Sequence, residues 1–364
     1  MSEHQASASL LGRVSWRWQR ILAVMRVETL RMLRDPPTLA LIVLVPAIQI
    51  LLFGGAVNLD PKGLRVAISR SAGTSAAPLL SSMQTSGYYE VVGDGLPPGE
   101  AQRLLTAGRA DIALELVVGL APRLIVDGSD PAAVRPAVLT LEAALLGNAV
   151  SRFKPQVEWR YNPEARTAWA ISPGLVGVVV MISMLLLGAL TLVREREQGT
   201  WESLLATPVD GFDALVGKLT PYVLLGLLQA IIVVAAAHWI FDVPLRGSLA
   251  LLLGACALFA AAHLLLGFAL SALAATQIQA VQAAVFFYLP SMLLSGFMFP
   301  FAGMPRWARA LGECIPLTHM VRVARGVMLR GEGSERVLAE MWPVALFALL
   351  ATLVALTAYR RHVN

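Results

Sequence analysis

Six stretches of roughly twenty apolar residues run through this 364-residue chain, at 38–57, 173–193, 219–241, 248–273, 279–300 and 342–359. Crossing ~30 Å of hydrocarbon at 1.5 Å per residue takes about twenty residues, so each stretch reads as a membrane helix. The sequence therefore predicts a polytopic α-helical membrane protein with six transmembrane helices. Composition agrees: 57% of residues are hydrophobic and only 15% charged, where a soluble domain carries about a quarter charged residues. The net charge of +5 does not indicate a nucleic-acid binder, because the positive charges cluster beside apolar spans instead of forming a soluble basic face. Cys256 and Cys314 lie far apart, which gives neither a disulfide framework nor a metal-binding pair. A Ser/Ala-rich start leads into Arg-rich sequence, and no signal peptide is expected.

Lys and Arg in the short flanks set the orientation. Arg13, Arg17, Arg20, Arg26, Arg31 and Arg34 precede the first span; Arg194, Arg196 and Lys218 follow the second; Arg360 and Arg361 follow the last. Six spans bring all three groups to one side, so both termini are expected in the cytoplasm. Region 58–172 is then outside the cytoplasm, with eleven basic and eleven acidic residues, and a domain of that length translocates largely regardless of charge. Segment 301–341 should also be outside, yet holds six arginines against four glutamates. That imbalance marks the end of span five as the weakest point of the topology, with 301–341 external, re-entrant or interfacial.

Residues 1–37 combine a tail with a helix from about 14 to 34. At 100° per residue, Arg13, Arg17, Arg20, Arg31 and Arg34 share one arc, and Trp18, Ile21, Leu22, Met25, Met32 and Leu33 lie opposite. An apolar stripe facing arginines, with Trp anchors, predicts an amphipathic helix lying in the membrane interface and bound to lipid. Asp35-Pro36-Pro37 should end it. Region 58–172 reads as an inserted α/β domain: strands at 64–69, 88–92, 110–116 and 123–128, a helix at 100–108, and a helix at 130–147 opened by Asp130 and Pro131. Strands alternating with helices favour a partly parallel sheet.

No catalytic or metal-binding constellation is present: no HExxH, no GxSxG and no Cys/His spacing. "GFDALVGKLT" (211–220) resembles a phosphate-binding loop, but five residues separate Gly211 from Gly217 where four are needed. Leu219 replaces the magnesium-binding hydroxyl, and no strand precedes the segment. The middles of the spans contain His263 and Gln229 but no carboxylate, while His238 lies near a span end. A neutral His263 bonded to a neighbouring helix is favoured over a proton relay, which would pair it with Asp or Glu. Without a coupling carboxylate, the energy for any transport should come from another polypeptide.

The segment "LVREREQGTWESLLATP" (192–208) follows the second span directly. Arg194, Glu195, Arg196 and Glu197 cannot enter hydrocarbon cheaply. Gly199 permits a turn, Thr200 can cap a new helix whose apolar face holds Trp201, Leu204 and Leu205, and Pro208 ends it. The expected product is a short rigid helix at the membrane surface, within a hairpin spanning 194–218. It serves either as a topological loop or as a lever for a cytoplasmic motor.

This segment resembles the signature of the ABC-2 type permeases, the membrane subunits of a class of ATP-binding-cassette exporters. Arg194, Glu195, Arg196, Glu197, Gly199, Thr200, Glu202, Leu204, Thr207 and Pro208 fall on it without a gap. "YNPEARTAWAISPGL" (161–175) is similar to the family's entry into span two, and "LPSMLLSGFMFP" (289–300) to its end of span five. The plan of spans and outer domain resembles the subgroup with a large extracytoplasmic insert between spans one and two, and the family's short helices after span five suit 301–341.

The resemblance implies a six-helix permease that pairs with itself or a sister permease. An ABC ATPase subunit, which carries the ATP and Mg, should dock on the Arg-rich N-terminal helix and the 194–208 hairpin. Glu202 and the Arg194–Glu197 cluster are the implied contacts. Alternative partners for Arg194 or Arg196 are lipid phosphate, or Glu195 and Glu197 across the dimer. Subgroup members with such inserts imply a periplasmic adaptor.

Span five holds Phe286, Phe287, Tyr288, Met292, Phe297 and Met298, with Pro290 and Gly296 able to bend it. Aromatic and methionine surfaces suit varied apolar ligands, so these six residues are candidates for a substrate path, or for contact with lipid or a partner subunit. The favoured function is export of a hydrophobic small molecule, drug-like or lipid-like. The alternative is a membrane-anchored receptor or scaffold whose outer domain does the work.

Overall fold

A computed structural model describes residues 3–36, 40, 44, 47–49, 63–71, 79–81, 83, 89–117, 120–129, 131–147, 155–162, 167–199 and 211–363. The expected first span, 38–57, lies almost wholly outside these residues, as does the hairpin helix after Gly199. Among the described residues five helices are long and apolar enough to cross a membrane. They are α4 (Thr167–Glu197), α5 (Gly211–Phe241), α6 (Leu249–Leu273), α7 (Gln277–Leu294) and α10 (Ser334–Val363), in the numbering that follows.

Helix α1 (Glu3–Leu33) precedes a mixed α/β unit. That unit comprises β1 (Leu64–Arg70), β2 (Tyr89–Leu96), α2 (Glu100–Thr106), β3 (Ile112–Leu116), β4 (Arg123–Asp127), α3 (Pro131–Gly147) and β5 (Gln156–Arg160). The strands form one sheet in the order β2-β1-β3-β4-β5. β1 runs parallel to β2 and β3, β3 antiparallel to β4, and β4 parallel to β5. Val66, Ile68, Ile112 and Leu114 are buried with Leu141 and Leu145 of α3 on one face, and Ala67, Ala113 and Ile125 with Ala101 and Leu105 of α2 on the other. A sheet covered on both faces buries nearly every residue of its central strands, which is why β1 and β3 read as apolar runs instead of alternating.

Helix α4 is the axis of the membrane region. Its most apolar window is 89% buried, against 22% for α10 and 28% for α7, which therefore present side chains to lipid or to another subunit. α4 packs most closely on α6. Lipid is as apolar as a leucine side chain, so membrane helices associate through small residues that let backbones approach. Gly188 and Gly267 face each other at this crossing. A Cβ on Gly188 would overlap the Leu264 carbonyl oxygen, and one on Gly267 would overlap that of Leu185. Four residues beyond Gly267, Ser271 Oγ accepts the backbone N–H groups of Leu192 and Val193, each at 3.0 Å.

Several boundaries differ from the sequence reading. α4 begins at Thr167, with Pro173 inside it, and continues through the charged block to Glu197, so the polar residues emerge as helix and the turn falls at Gln198–Gly199. Gly199 adopts φ 71°, a conformation that costs glycine little. α7 ends at Leu294, not at 300, where Ser295 and then Gly296 (φ 77°) turn the chain.

Segment 301–341 is not one unit. A 3₁₀ turn (Phe301–Gly303), α8 (Arg306–Glu313), α9 (Pro316–Arg325) and a π-turn (Gly326–Arg330) lead into α10, whose first residues are 334–341. α9 is buried among the spans through Leu317, Met320 and Val321. Among the described residues His263 bonds within its own helix, Nδ1 to Phe259 O at 2.9 Å, and not to a neighbour, whereas Gln229 reaches across to Ser183 Oγ of α4 at 2.8 Å. Both cysteines are free; Cys256 is buried and Cys314 exposed.

Replacing Gly188 or Gly267 with leucine should force α4 and α6 apart and cost at least the ~1–3 kcal/mol of an overpacked core, read as a lower melting temperature and loss of monodispersity in detergent. Gly254→Ala, in α6 where a Cβ meets nothing within 4 Å, should leave both unchanged or improved.

Candidate coupling site

At one end of the bundle the C-termini of α1, α4 and α6 meet the N-termini of α5 and α7. Their charged residues form a single network. Glu195, on the last turn of α4, is 5% exposed. Its Oε1 accepts Lys218 Nζ of α5 at 2.5 Å and Arg31 Nη1 of α1 at 3.2 Å. Arg194 makes a two-pronged pair with Asp35, 2.9 Å on each arm. Glu28 of α1, 6% exposed, accepts the Tyr222 hydroxyl of α5 at 2.8 Å. Arg196 donates to the carbonyls of Ala272 and Ala274 at the end of α6, and Glu197 accepts the backbone N–H and side-chain amide of Gln277, which opens α7. Alternating charges on one helical turn point in four directions, and here they reach α1 and the turn after it, α5, the end of α6 and the start of α7.

Backbone fit reinforces the charges. A Cβ on Gly217 would sit 2.8 Å from Val24 Cβ and 3.0 Å from the Ile21 carbonyl oxygen, so glycine lets α5 lie directly on α1. The phosphate-loop lookalike at 211–220 is thereby explained: its glycine is a helix crossing and its lysine half of a buried ion pair. A cavity of about 480 Å³ opens beside the network between α1 and α4, lined by Leu30, Arg34 and Leu190 among others.

Of the residues singled out from sequence, the structure brings Arg194, Glu195, Arg196, Glu197 and Arg31 together. Arg194 pairs within the chain, with Asp35. Gly199 is at the turn, and Thr200, Glu202, Leu204 and Pro208 lie outside the described residues, as does the side chain of Arg17. Trp18 (61% exposed) and Arg34 point outward from α1, with Leu22, Val27, Leu30 and Leu33 also exposed. Arg20 is part-buried.

The six residues of the substrate path do not share one face. Phe286 is 81% exposed, while Tyr288 is buried and bonds Gln49 and the Met292 sulfur, each at 3.3 Å. Phe287 turns toward His263 and Phe347, and Phe297 packs where a side chain on Gly174 would be. Met298 is part-buried.

Sequence reading missed Glu28, Asp35, Tyr222, Ser271 and Gln277 as members of this site. Asp35 was visible only as a helix stop; Tyr222 and Gln277 carry no pattern that marks them.

Among the described residues, four membrane-length helices around a fifth, the buried axis α4, with a charged cluster at one end and a folded α/β unit at the other, define a multi-pass membrane protein. Residues 138–329 match the ABC-2 type transporter family. The "Probable multidrug ABC transporter permease YbhS" of Escherichia coli (strain K12) is 30% identical over 340 residues, 86% of this chain and 89% of the relative. "Probable multidrug ABC transporter permease YbhR" of the same organism is 27% identical over 366 residues, 95% of this chain and all of the relative. The "Inner membrane transport permease YhhJ" of that strain is 29% identical over 190 residues, about half of each chain. The chain belongs to the ABC-2 type transporter family. It is an ABC transporter permease of the bacterial inner membrane, a transport subunit and not itself an enzyme, and the family implies an ABC ATPase as its partner.

Lys218→Met leaves Glu195 without its nearest cation in a nearly buried site, and removing one partner of a buried pair costs ~3–5 kcal/mol. The variant should lose thermal stability accordingly, and Lys218→Met/Glu195→Leu should recover much of the loss. A melting series in one detergent measures both.

Proposed function

We propose that this permease exports a hydrophobic small molecule, drug-like or lipid-like, powered by ATP and Mg bound to the separate ATPase subunit. In this reading 38–57 is the first of six spans, both termini and the charged network face the cytoplasm, and the α/β unit faces outward. α1 lies along the inner membrane surface with Trp18, Leu22 and Leu33 toward lipid. The relatives named for multidrug transport support the substrate class.

The observation that carries the reading is the network itself. It fixes α1, the end of α4 and the start of α5 to one another, so that a push on the hairpin joining α4 to α5, or on α1, moves all three as a rigid body. Glu202 and the rest of 200–208 are the contact for the ATPase, with exposed Arg34 and part-buried Arg20 as secondary contacts. Two permeases, identical or sister chains, enclose the substrate path, and the exposed side chains of α7, Phe286 first, face it. An adaptor outside the membrane meets the α/β unit.

The chain, expressed at native levels in its own bacterium and purified, should bring down an ABC ATPase and export substrate only with ATP. Glu202→Arg should lower the recovered ATPase about tenfold, ~1.4 kcal/mol. Recovery of the permease alone, with export independent of ATP, refutes the reading. With Cys256 and Cys314 both replaced by serine, Gly199→Cys should react with a membrane-impermeant thiol reagent only in inverted vesicles; labelling from outside in intact spheroplasts refutes the orientation.

A further inference from the structure

The α/β unit meets the far end of the bundle across a polar seam. Between them lies a cavity of about 520 Å³ lined by six arginines and five carboxylates. That volume holds many waters, and a seam of charges around open space can part without exposing apolar surface.

One guanidinium crosses the seam at a buried point. Arg330 Nη2 donates to Asp127 Oδ2 at 2.7 Å, at the end of β4, and to Ser129 Oγ at 3.2 Å. Asp127 is 6% exposed, and its other oxygen accepts the Ser129 N–H at 3.0 Å, so the loop is shaped around the pair. Burial lowers the proton affinity of Arg330, but Asp127 and then Glu332 more than offset it, leaving its pKa raised and the group charged.

The other side of this contact is anchored in the spans. Arg330 ends the π-turn, and such turns recur at functional sites. The turn is stitched to the loop between α5 and α6 by Gly247 N–H to Val327 O (2.9 Å), Arg246 N–H to Met328 O (3.0 Å) and Arg246 Nη1 to Leu329 O (3.0 Å). A Cβ on Gly247 would lie 2.7 Å from Val327 O, which ties the approach to glycine. Gly331, at φ 71°, then starts the chain into α10. Arg330 thus joins β4 to α5, α6 and α10 at once.

Two features equip this contact for release. Among the described residues no acceptor meets the Arg330 Nε–H. Glu332 Oε1 stands 3.5 Å from Nη1 as a second acceptor, and Arg65 lies close enough to Asp127 to feel its charge. Partner exchange would therefore leave neither charge alone in a low-dielectric site, which is what makes breaking a buried pair costly.

We propose that Arg330 is a positioning residue of the transport cycle: its contact with Asp127 and Ser129 is a clasp that holds the α/β unit against the bundle in one nucleotide state and releases it in the other. The proposal rests on the ATP-driven reading above. The test is hydrogen–deuterium exchange on the intact permease–ATPase complex in phosphatidylethanolamine/phosphatidylglycerol nanodiscs, nucleotide-free and with ATP held by a hydrolysis-deficient ATPase.

Amides of 127–129 and 326–332 should exchange at least fivefold faster in one state than in the other, with β1 and β3 unchanged. Arg330→Gln, and independently Asp127→Asn, should lock these amides at the faster rate in both states, while the sheet interior stays protected and α1 still responds to ATP. Arg330→Lys should restore part of the nucleotide response. Equal exchange in both states of the wild type, with α1 still responding, overturns the clasp alone; so does a nucleotide step that survives Arg330→Gln. If α1 also fails to respond, the ATP-driven reading falls and takes the clasp with it. The wild-type comparison decides even where a variant does not fold.

Discussion

Glu195 is buried at the end of a membrane helix, and the arrangement of the helices around it follows from which cations reach it. Lys218 comes from α5 and Arg31 from α1. Neither helix is adjacent to α4 in a way that apolar packing alone would specify, because hydrocarbon competes equally for every leucine. The ion pairs supply that specificity: α1 must present Arg31 at the level where α4 ends and α5 begins. Gly217 then lets the two backbones close to the distance the charges require. A neutral surface would hold α1 in the interface but would not fix its register against α5.

The same principle explains why the four-charge block is helical. A turn at Arg194 would scatter these side chains; a continued helix directs Arg194 to Asp35, Glu195 to Lys218, Arg196 to the carbonyls at the end of α6 and Glu197 to Gln277. The block is a hub, and its polarity reflects inward partners as much as the water beyond it.

Much of the fold was legible because its signals are strong and local. Twenty-residue apolar runs gave α4, α5, α6, α7 and α10, and "LRVAIS" gave β1. β5 (Gln156–Arg160) was passed over because "QVEWR" alternates polar and apolar residues over only five positions. The ends of α7 and α10 were misplaced because hydropathy does not register Gly296, nor a helix that starts with Ser334, Glu335 and Arg336. At the coupling site the RERE block was found by its pattern, but its partners were not. Lys218 and Asp35 had been assigned to topology and to a helix stop, and only three-dimensional register joins Lys218 to Glu195, 23 positions away, or Asp35 to Arg194, 159 away.

α5 connects these local facts into a mechanical whole. It is one helix of 31 residues, ~46 Å long at 1.5 Å per residue. Its first turns carry Gly217, Lys218 and Tyr222 into the charged network, and Pro221 among them gives up one backbone hydrogen bond there. Its last carbonyl, Phe241 O, accepts the indole N–H of Trp169 at the start of α4, at 3.0 Å. The loop that follows is hydrogen-bonded to the π-turn that presents Arg330. α4 and α5 are therefore pinned to each other at both ends, by ions at one and by an indole at the other. A pair so tied cannot shear freely. On the proposed cycle, a displacement of the network would tilt both helices together, and the tilt would reach the far end as motion of the loop beneath the α/β unit.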